Sequence, residues 1–334
     1  MTQYESKQVH LRERPVGLPC DDTWDVVRVD IPEPVDGQFV VKVDYISLDP
    51  AMRGWLNDVR SYIRPVAIGE VMRAAAVGVV VSSKHPQFPE GVAVSGPFGV
   101  TEYALSDGSG VSAIDLEVAP APTWLGALGM PGMTAYFGLR DVGALKEGDT
   151  VLVSAAAGAV GSVVGQIAKA AGCTVIGIAG SNEKCGWLTE LGFDAAINYR
   201  DGDVLRKVRA AAPKGIDVFF DNVGGDILDA GLANLRRGAR VVLCGAISTY
   251  NDTELAPGPR RYMSLLVFRA SMTGFVVFDF QDRYSEAVEQ ISEWIAAGKL
   301  SARETIVPGG VEAFGQTLLG LYSGINTGKL VLQI

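Results

Sequence analysis

The sequence predicts an α/β protein, an antiparallel β domain followed by a doubly wound parallel sheet. Three observations carry this. Between Thr150 and Cys244, short apolar runs alternate with helical patterns at the spacing of strand–helix units. The first ~125 residues instead show strand signals cut by turn residues, with Pro86, Pro89, Pro97, Pro120 and Pro122 as punctuation and no strand–helix rhythm. A glycine turn within VLVSAAAGAVGSVVGQIAKAAGC joins the first strand of the alternating region to its first helix.

Taken in order, FVVKVDYIS places Phe39, Val41, Val43 and Tyr45 on one face and Lys42 and Asp44 on the other, the period of a strand. Val77 to Val81 is a continuous apolar run and reads as a more buried strand. From there the strands are expected at Val151–Ser154, Thr174–Ala179, Ala195–Tyr199, Asp217–Asp221 and Arg240–Cys244. Helices are expected at Val160–Ala171, Glu183–Leu191, Val204–Ala212 and Asp226–Leu235, with Gly172 and Gly192 as stop signals for the first two. Ser285–Ala297 is amphipathic, with Ala287, Val288, Ile291, Trp294 and Ile295 on one face before Gly298. The closing GKLVLQI is an apolar strand, expected to return to the first domain because the parallel sheet is already complete.

Composition excludes several function classes. With 38 acidic against 29 basic residues the net charge is −9, the wrong sign for gripping a nucleic-acid backbone. No run of about 18 apolar residues indicates a membrane span, and the polar MTQYESKQVH has no signal-peptide core. Cys20, Cys173, Cys185 and Cys244 are scattered without paired spacing, which fits a reducing cytoplasm. Cys173 and Cys244 adjoin apolar runs and are expected to be buried, inert thiols.

Against the G-x-G-x-x-G template, Gly158 and Gly161 match the second and third glycines and Ala156 replaces the first. Gly158 lets backbone approach a pyrophosphate, Gly161 permits close helix–strand packing, and the helix N-terminus favours the anion. In such folds an acid at the end of the second strand, about 20 residues on, binds the ribose 2′-hydroxyl of NAD. Counting 22 residues from Gly158 reaches Gly180 in IAGSNEK, which leaves room for a 2′-phosphate. Ser181 supplies a hydrogen bond and Lys184 an ammonium, so the corner is expected to hold NADPH (or NADP⁺) rather than NADH.

The stretches EGDTVLVSAAAGAVGSVVGQIAKAAGC, IAGSNEK, GIDVFFDNVGG, VVLCGAISTYN, SLDPAMRGWLNDVRSYIRPV and NTGKLVL together resemble the medium-chain dehydrogenase/reductase superfamily. They are most similar to its zinc-independent branch of prostaglandin reductases (leukotriene B4 dehydrogenases), plant alkenal reductases and bacterial curcumin reductases. The resemblance spans nearly the whole chain. It implies a GroES-like substrate domain of residues 1–125 closed by 300–334, and a Rossmann NADP-binding domain of residues 126–299. It also implies a homodimer and NADPH-dependent reduction of the carbon–carbon double bond of α,β-unsaturated ketones or aldehydes. Implied cofactor contacts are Gly158, Ala159, Val160, Gly161, Lys184, Tyr199, Asn222 and Asn326. To these it adds Cys244, Gly245, Ala246, Ile247, Ser248 and Tyr250, and a short strand, Gly274 to Val277, whose Phe275, Val276 and Val277 run beside the nicotinamide.

Zinc enzymes of this superfamily carry a G-H-E segment and catalytic cysteines. Here the comparable stretch is IGEVMRAAAVG, and His10 and His85, the two histidines, are expected to be ordinary surface residues without zinc-ligand spacing. No metal is therefore expected. Conjugate reduction suits a metal-free site, because hydride goes to the β-carbon and charge collects on an enolate oxygen that needs a hydrogen-bond donor. Tyr250 and Tyr62 are the candidate donors, since a phenol near its ordinary pKa of about 10 keeps its proton at neutral pH. Ala51 stands where the family often has a tyrosine, which puts any role of that tyrosine in doubt. Arg53 is expected either to bind an anionic group of the substrate or to pair with Asp49. A quinone reductase and a non-catalytic NADPH-binding protein are the alternative readings.

Overall fold

This computed structural model describes residues 4–334. The chain divides into two units: one runs up to Leu125 and is rejoined by Glu304–Ile334, and the other is Gly126–Arg303.

The first unit opens with a hairpin of β1 (Tyr4–Leu11) and β2 (Trp24–Ile31), paired over their full length. Its main sheet is built on β3 (Phe39–Ser47), and the short helix α1 (Met52–Trp55) follows. The strands β4 (Ala76–Ser83), β5 (Ala93–Gly96), β6 (Tyr103–Ser106) and β7 (Ser112–Ala113) complete the N-terminal part. β3 pairs antiparallel with both β4 and β6, so it is central, and Val40 is as buried as Phe39 and Val41. Its alternating pattern therefore understates its burial; among these residues Lys42 alone is exposed.

The second unit starts at α2 (Met130–Phe137) and carries β8 (Thr150–Val153), α3 (Ala159–Ala170), β9 (Thr174–Ala179), α4 (Asn182–Glu190) and β10 (Ala195–Asn198). It continues through α5 (Val204–Ala211), β11 (Ile216–Asp221), α6 (Gly225–Leu232), β12 (Leu235–Leu243), α7 (Met263–Phe268), β13 (Ser271–Gly274) and α8 (Tyr284–Ala296). All six strands are parallel, in the order β10-β9-β8-β11-β12-β13. Numbered within the unit this is 3-2-1-4-5-6, with its switch point where β8 lies between β9 and β11.

Three expected boundaries shift. α6 ends at Leu232 and β12 begins at Leu235, five residues before the expected Arg240, because Asn234 closes the helix by donating to Ala230 O (2.8 Å) and Leu205 O (3.1 Å). β10 ends at Asn198, whose side chain caps the next turn by accepting from Arg200 N (3.1 Å). The strand expected over Gly274–Val277 is instead Ser271–Gly274, since β12 ends opposite Gly274 at Leu243 and the chain then turns at Val277–Arg283.

The chain returns to the first unit through β14 (Glu304–Pro308), α9 (Phe314–Ser323) and β15 (Lys329–Gln333). β15 pairs parallel with β14 and antiparallel with β3, placing Leu330 and Leu332 in one core with Phe39, Ile46, Met52 and Phe314. The sequence reading contained neither β14 nor α9. Among the described residues no helix is long and apolar enough to cross a membrane.

Candidate functional site

The carboxyl ends of β8, β9, β11 and β12 form the rim where parallel sheets of this topology take their ligands. After β8 the chain turns sharply: Ala155 has a left-handed φ of 47°, Ala156 N bonds to Ile178 O (2.9 Å), and Gly158 caps α3. The left-handed residue is thus Ala155, one position before the alanine that replaces the template's first glycine. Gly161 is dictated by contact, because a Cβ there would lie 2.4 Å from Ala155 O and 2.8 Å from Ala156 Cα. Even alanine would force the helix away from the turn.

The end of β9 is shaped by its neighbour. Parallel pairing sets Ala179 opposite Asn198, so Tyr199 lies against Gly180, where an added Cβ would sit 3.0 Å from its ring and 3.2 Å from its hydroxyl. Ser181 caps α4 by accepting from Lys184 N (3.2 Å), and its hydroxyl proton remains a donor. Lys184 is half-buried; burial first, then the nearby Arg200 charge, holds its ammonium below the usual lysine range. Arg200 lies 5.9 Å over the Tyr199 ring. Sequence reading missed Arg200, although it directly follows Tyr199 in NYR. Two cations close enough to repel each other form an arrangement that an anion relieves.

The rim of β11 is fixed by a buried carboxylate. Asp221 accepts from Ser154 Oγ (2.7 Å), Val223 N (3.2 Å) and Gly224 N (2.9 Å). Burial raises its pKa, and these hydrogen bonds pull it back. Ser154 Oγ also accepts from Asn222 N (2.8 Å), and Asn222 Nδ2 donates to Ser154 O (2.8 Å), so this amide is tied to the end of β8. Beyond β12, Ile247 N and Ser248 N bond to Asn222 O and Val223 O, folding the loop onto that rim. The half-buried Cys244 thiol is pushed up to about 12, by burial first and Asp221 second, which leaves no thiolate at neutral pH.

Tyr250 turns back on its own loop, its hydroxyl accepting from Ala246 N (3.2 Å). Tyr250→Phe removes that acceptor and is expected to cost about 1 kcal/mol, read as a lower urea midpoint with an unchanged slope. Asn251 follows, with a buried Oδ1 that has no hydrogen-bond partner among the described residues. The Phe275 ring packs on Phe220 and Phe280, and Val277 O accepts from Tyr284 Oη (3.1 Å). Past β13, then, the Phe275 side chain and the Val277 carbonyl are already engaged within the unit.

The remaining candidates lie in the first unit. Tyr62 is 56% exposed and receives a long hydrogen bond from Trp55 Nε1 (3.4 Å). Asn326 is buried and donates to Gly328 O (2.7 Å). The expected roles of Arg53 need correction. It is buried, and its guanidinium is consumed by Gly17 O (2.7 Å), Asn57 Oδ1 (2.6 Å) and Pro15 O (3.1 Å), which clamps the N-terminal loop to α1. Asp49 pairs with Lys329 (2.7 Å) instead of Arg53. Nor are the histidines plain surface residues. His10 bonds Gly69 O (2.8 Å) and Gln8 Oε1 (3.0 Å), while His85 packs on Phe39 and Phe88. Among the described residues no cluster of three or more His, Cys, Asp or Glu side chains is placed to hold a metal ion.

A parallel 3-2-1-4-5-6 sheet with a small-residue turn after its first strand defines a dinucleotide-binding class of protein. Comparison with known proteins narrows the class. Residues 7–114 match a family model described as the N-terminal domain of oxidoreductase, and residues 159–293 one described as zinc-binding dehydrogenase. The NADPH-dependent curcumin reductase of Escherichia coli is 42% identical over 97% of this chain and 95% of its own. The NADP(+)-dependent 2-alkenal reductase of Nicotiana tabacum is 38% identical, over 99% and 98%. The crystal structure of CurA from Vibrio vulnificus in complex with NADPH superposes with a TM-score of 0.92 at 43% identity, covering 98% of each chain. The chain belongs to the zinc-independent medium-chain dehydrogenases/reductases, in the branch of the curcumin, prostaglandin and alkenal reductases.

Proposed function

We propose that this chain uses NADPH to reduce the carbon–carbon double bond of α,β-unsaturated ketones and aldehydes. The observation that carries this is the end of β9, where Gly180 stands in place of an acid beside Ser181, Lys184 and Tyr199, with Arg200 as a second cation. The residues present fit that cofactor. Gly161 leaves the first turn closed tightly enough to present its backbone to a pyrophosphate, and the Asn251 acceptor is buried in want of a donor. When bound, the cofactor supplies hydride to the β-carbon of the substrate.

The chain's own tasks follow from that chemistry. Ser181 and Lys184 hold the 2′-phosphate, with Tyr199 beside it. The turn from Gly158 to Gly161 receives the pyrophosphate, and the loop from Cys244 to Tyr250 and the backbone of Phe275 and Val276 position the nicotinamide. Asn222 and Val277 belong to the cofactor contacts of the second unit, and Asn326 is a cofactor contact contributed by the first. The unit that ends at Leu125 and is rejoined by Glu304–Ile334 is the substrate domain, and Gly126–Arg303, four residues longer than expected at its end, the cofactor domain. Tyr62 or Tyr250 donates a hydrogen bond to the enolate oxygen, where a donor is worth most. The protein works in the cytoplasm as a homodimer; the open edge of β13 and the exposed Leu266 and Val267 of α7 give a second copy a surface to bind.

NADPH oxidation followed with a small panel of enones and enals tests the reading, with saturated carbonyl products expected and a quinone run alongside. Tight NADPH binding with no turnover of any enone would overturn it in favour of a non-catalytic binder. Turnover confined to the quinone would overturn the choice of substrate.

A further inference from the structure

Phe275 and Val276 lie just past the point where the sheet stops holding the chain. β13 pairs with β12 only as far as Gly274, opposite Leu243, and β13 is the last strand of that sheet. The residues that follow are fixed by the C-terminal end of α2. There the helix widens into a π-turn, Gly138–Val142, closed by Gly143 N donating to Gly138 O across five residues (2.9 Å). Three residues at this helix end each take one residue of the segment. The Phe275 ring abuts Gly138, and the Phe280 ring stacks on Phe137 (4.9 Å between centres). Arg283 pairs with Asp141 (2.5 Å) and lies over the Phe137 ring. Beyond the turn, Arg240 of β12 donates to Gly143 O (2.9 Å) and Ala144 O (3.0 Å), so the turn itself is tied to the sheet.

Gly138 is the tightest of these contacts. Its φ of −60° is ordinary for a helix, so its backbone has no need of glycine. Its surroundings do: an added Cβ would lie 2.5 Å from Phe275 Cζ and 2.8 Å from the Phe220 ring. Phe220 is fully buried in β11, with a strand paired on either side, and cannot give way. Phe275 follows an edge strand and is only half-buried, so it is the one to move. The atom struck is the tip of its ring, and the ring is confined by Phe220 and Phe280 (6.4 and 6.5 Å between centres). A push there travels along the ring axis into the Phe275 backbone, the stretch assigned above to the nicotinamide.

We infer that Gly138 is a positioning residue of the cofactor site: having no side chain, it seats the Phe275 ring against the end of α2, and that seat sets where the Phe275–Val276 backbone meets the nicotinamide. The inference rests on the reductase reading above. It concerns the nicotinamide end of the cofactor alone and leaves the 2′-phosphate to the end of β9.

The test separates the two ends of the cofactor. Adenosine 2′,5′-bisphosphate carries the 2′-phosphate but no nicotinamide, and its binding is measured by calorimetry beside that of NADPH. Gly138→Ala should raise Kd for NADPH about tenfold and slow hydride transfer in a single turnover about a hundredfold, with Kd for the bisphosphate unchanged. Phe275→Leu removes the ring tip and makes room for the added methyl, so the double variant should bind NADPH more tightly than Gly138→Ala does. Asp141→Asn takes the opposing charge from Arg283 without inserting any atom. It should show the same split at about threefold, and it carries the test should Gly138→Ala fail to fold. Equal weakening of both ligands would mean that the turn only supports the domain, and overturns the inference. So do NADPH binding and hydride transfer that both stay unchanged, or a double variant no better than Gly138→Ala. Failure of the unaltered protein to reduce any enone sinks the reductase reading, whereas the two binding constants still decide the role of Gly138.

Discussion

Replacing Lys184 with alanine is expected to weaken NADPH binding by about 1.5–3 kcal/mol, roughly ten- to a hundredfold in Kd, while NADH binding changes little. The difference comes from the 2′-phosphate, which NADH lacks and which carries close to two negative charges at neutral pH. Lys184 is half-buried, so its charge is screened less than that of a surface lysine. Arg200 shares the anion, which keeps the loss from being complete, and Arg200→Ala should cost less because its side chain is more exposed. The pH dependence has a definite sign. Burial and Arg200 hold the Lys184 ammonium below the usual range, so the protein without cofactor gives up this proton earlier than an ordinary lysine would. NADPH affinity should therefore fall as pH rises through that depressed value, and it should fall less steeply in Lys184→Ala. Fluorescence titration with both cofactors at several pH values checks each part. Equal losses for NADPH and NADH would show that Lys184 is a helix-surface residue with no hold on the phosphate.

Much of this corner was legible because it is local. Gly180 is found by counting from Gly158, and Ser181 and Lys184 follow it in the same turn. What the count could not give is why glycine stands there. The register of β9 against β10 brings the Tyr199 ring to Gly180, a contact between residues 19 apart that depends on where two strands end. Arg200 escaped for the same reason, since its value comes from lying near Lys184 across the strand pair. The error over Arg53 has the opposite origin. Its spacing from Asp49 offered a ready local pair, but α1 turns the guanidinium towards the backbone at Pro15 and Gly17, and the sequence carries no signal of that loop's path. β14 and α9 were missed where strand and helix patterns are short and interleaved with glycine. β12 began early because Asn234, an amide in an apolar run, stopped the preceding helix.

Asp49→Ala is expected to be the most damaging single change outside the cofactor site, lowering stability by about 3–5 kcal/mol, because it strands a buried charge. Lys329 is 2% exposed at the start of β15, and its ammonium donates to Leu48 O (2.8 Å) and Asp49 Oδ1 (2.7 Å). Asp49 also accepts from Ser47 Oγ, so the carboxylate links the end of β3 to the C-terminal strand that completes the sheet. Without it the ammonium keeps one carbonyl and no counter-charge in a site that excludes water. Lys329→Met is expected to cost far less: it fills similar volume, removes the buried charge, and leaves Asp49, whose side chain is 24% exposed, able to reach solvent. The two variants should also diverge with pH. Burial holds the Lys329 pKa below its unfolded value, so between those two values the unfolded chain binds more protons and stability rises with pH. Loss of Asp49 leaves burial unopposed and should carry that rise to lower pH, while Lys329→Met should abolish it. Urea unfolding of the three proteins near pH 7 and pH 9.5 separates these outcomes. Similar small losses in both variants at both pH values would mean that the pair holds little of the seam between β3 and β15.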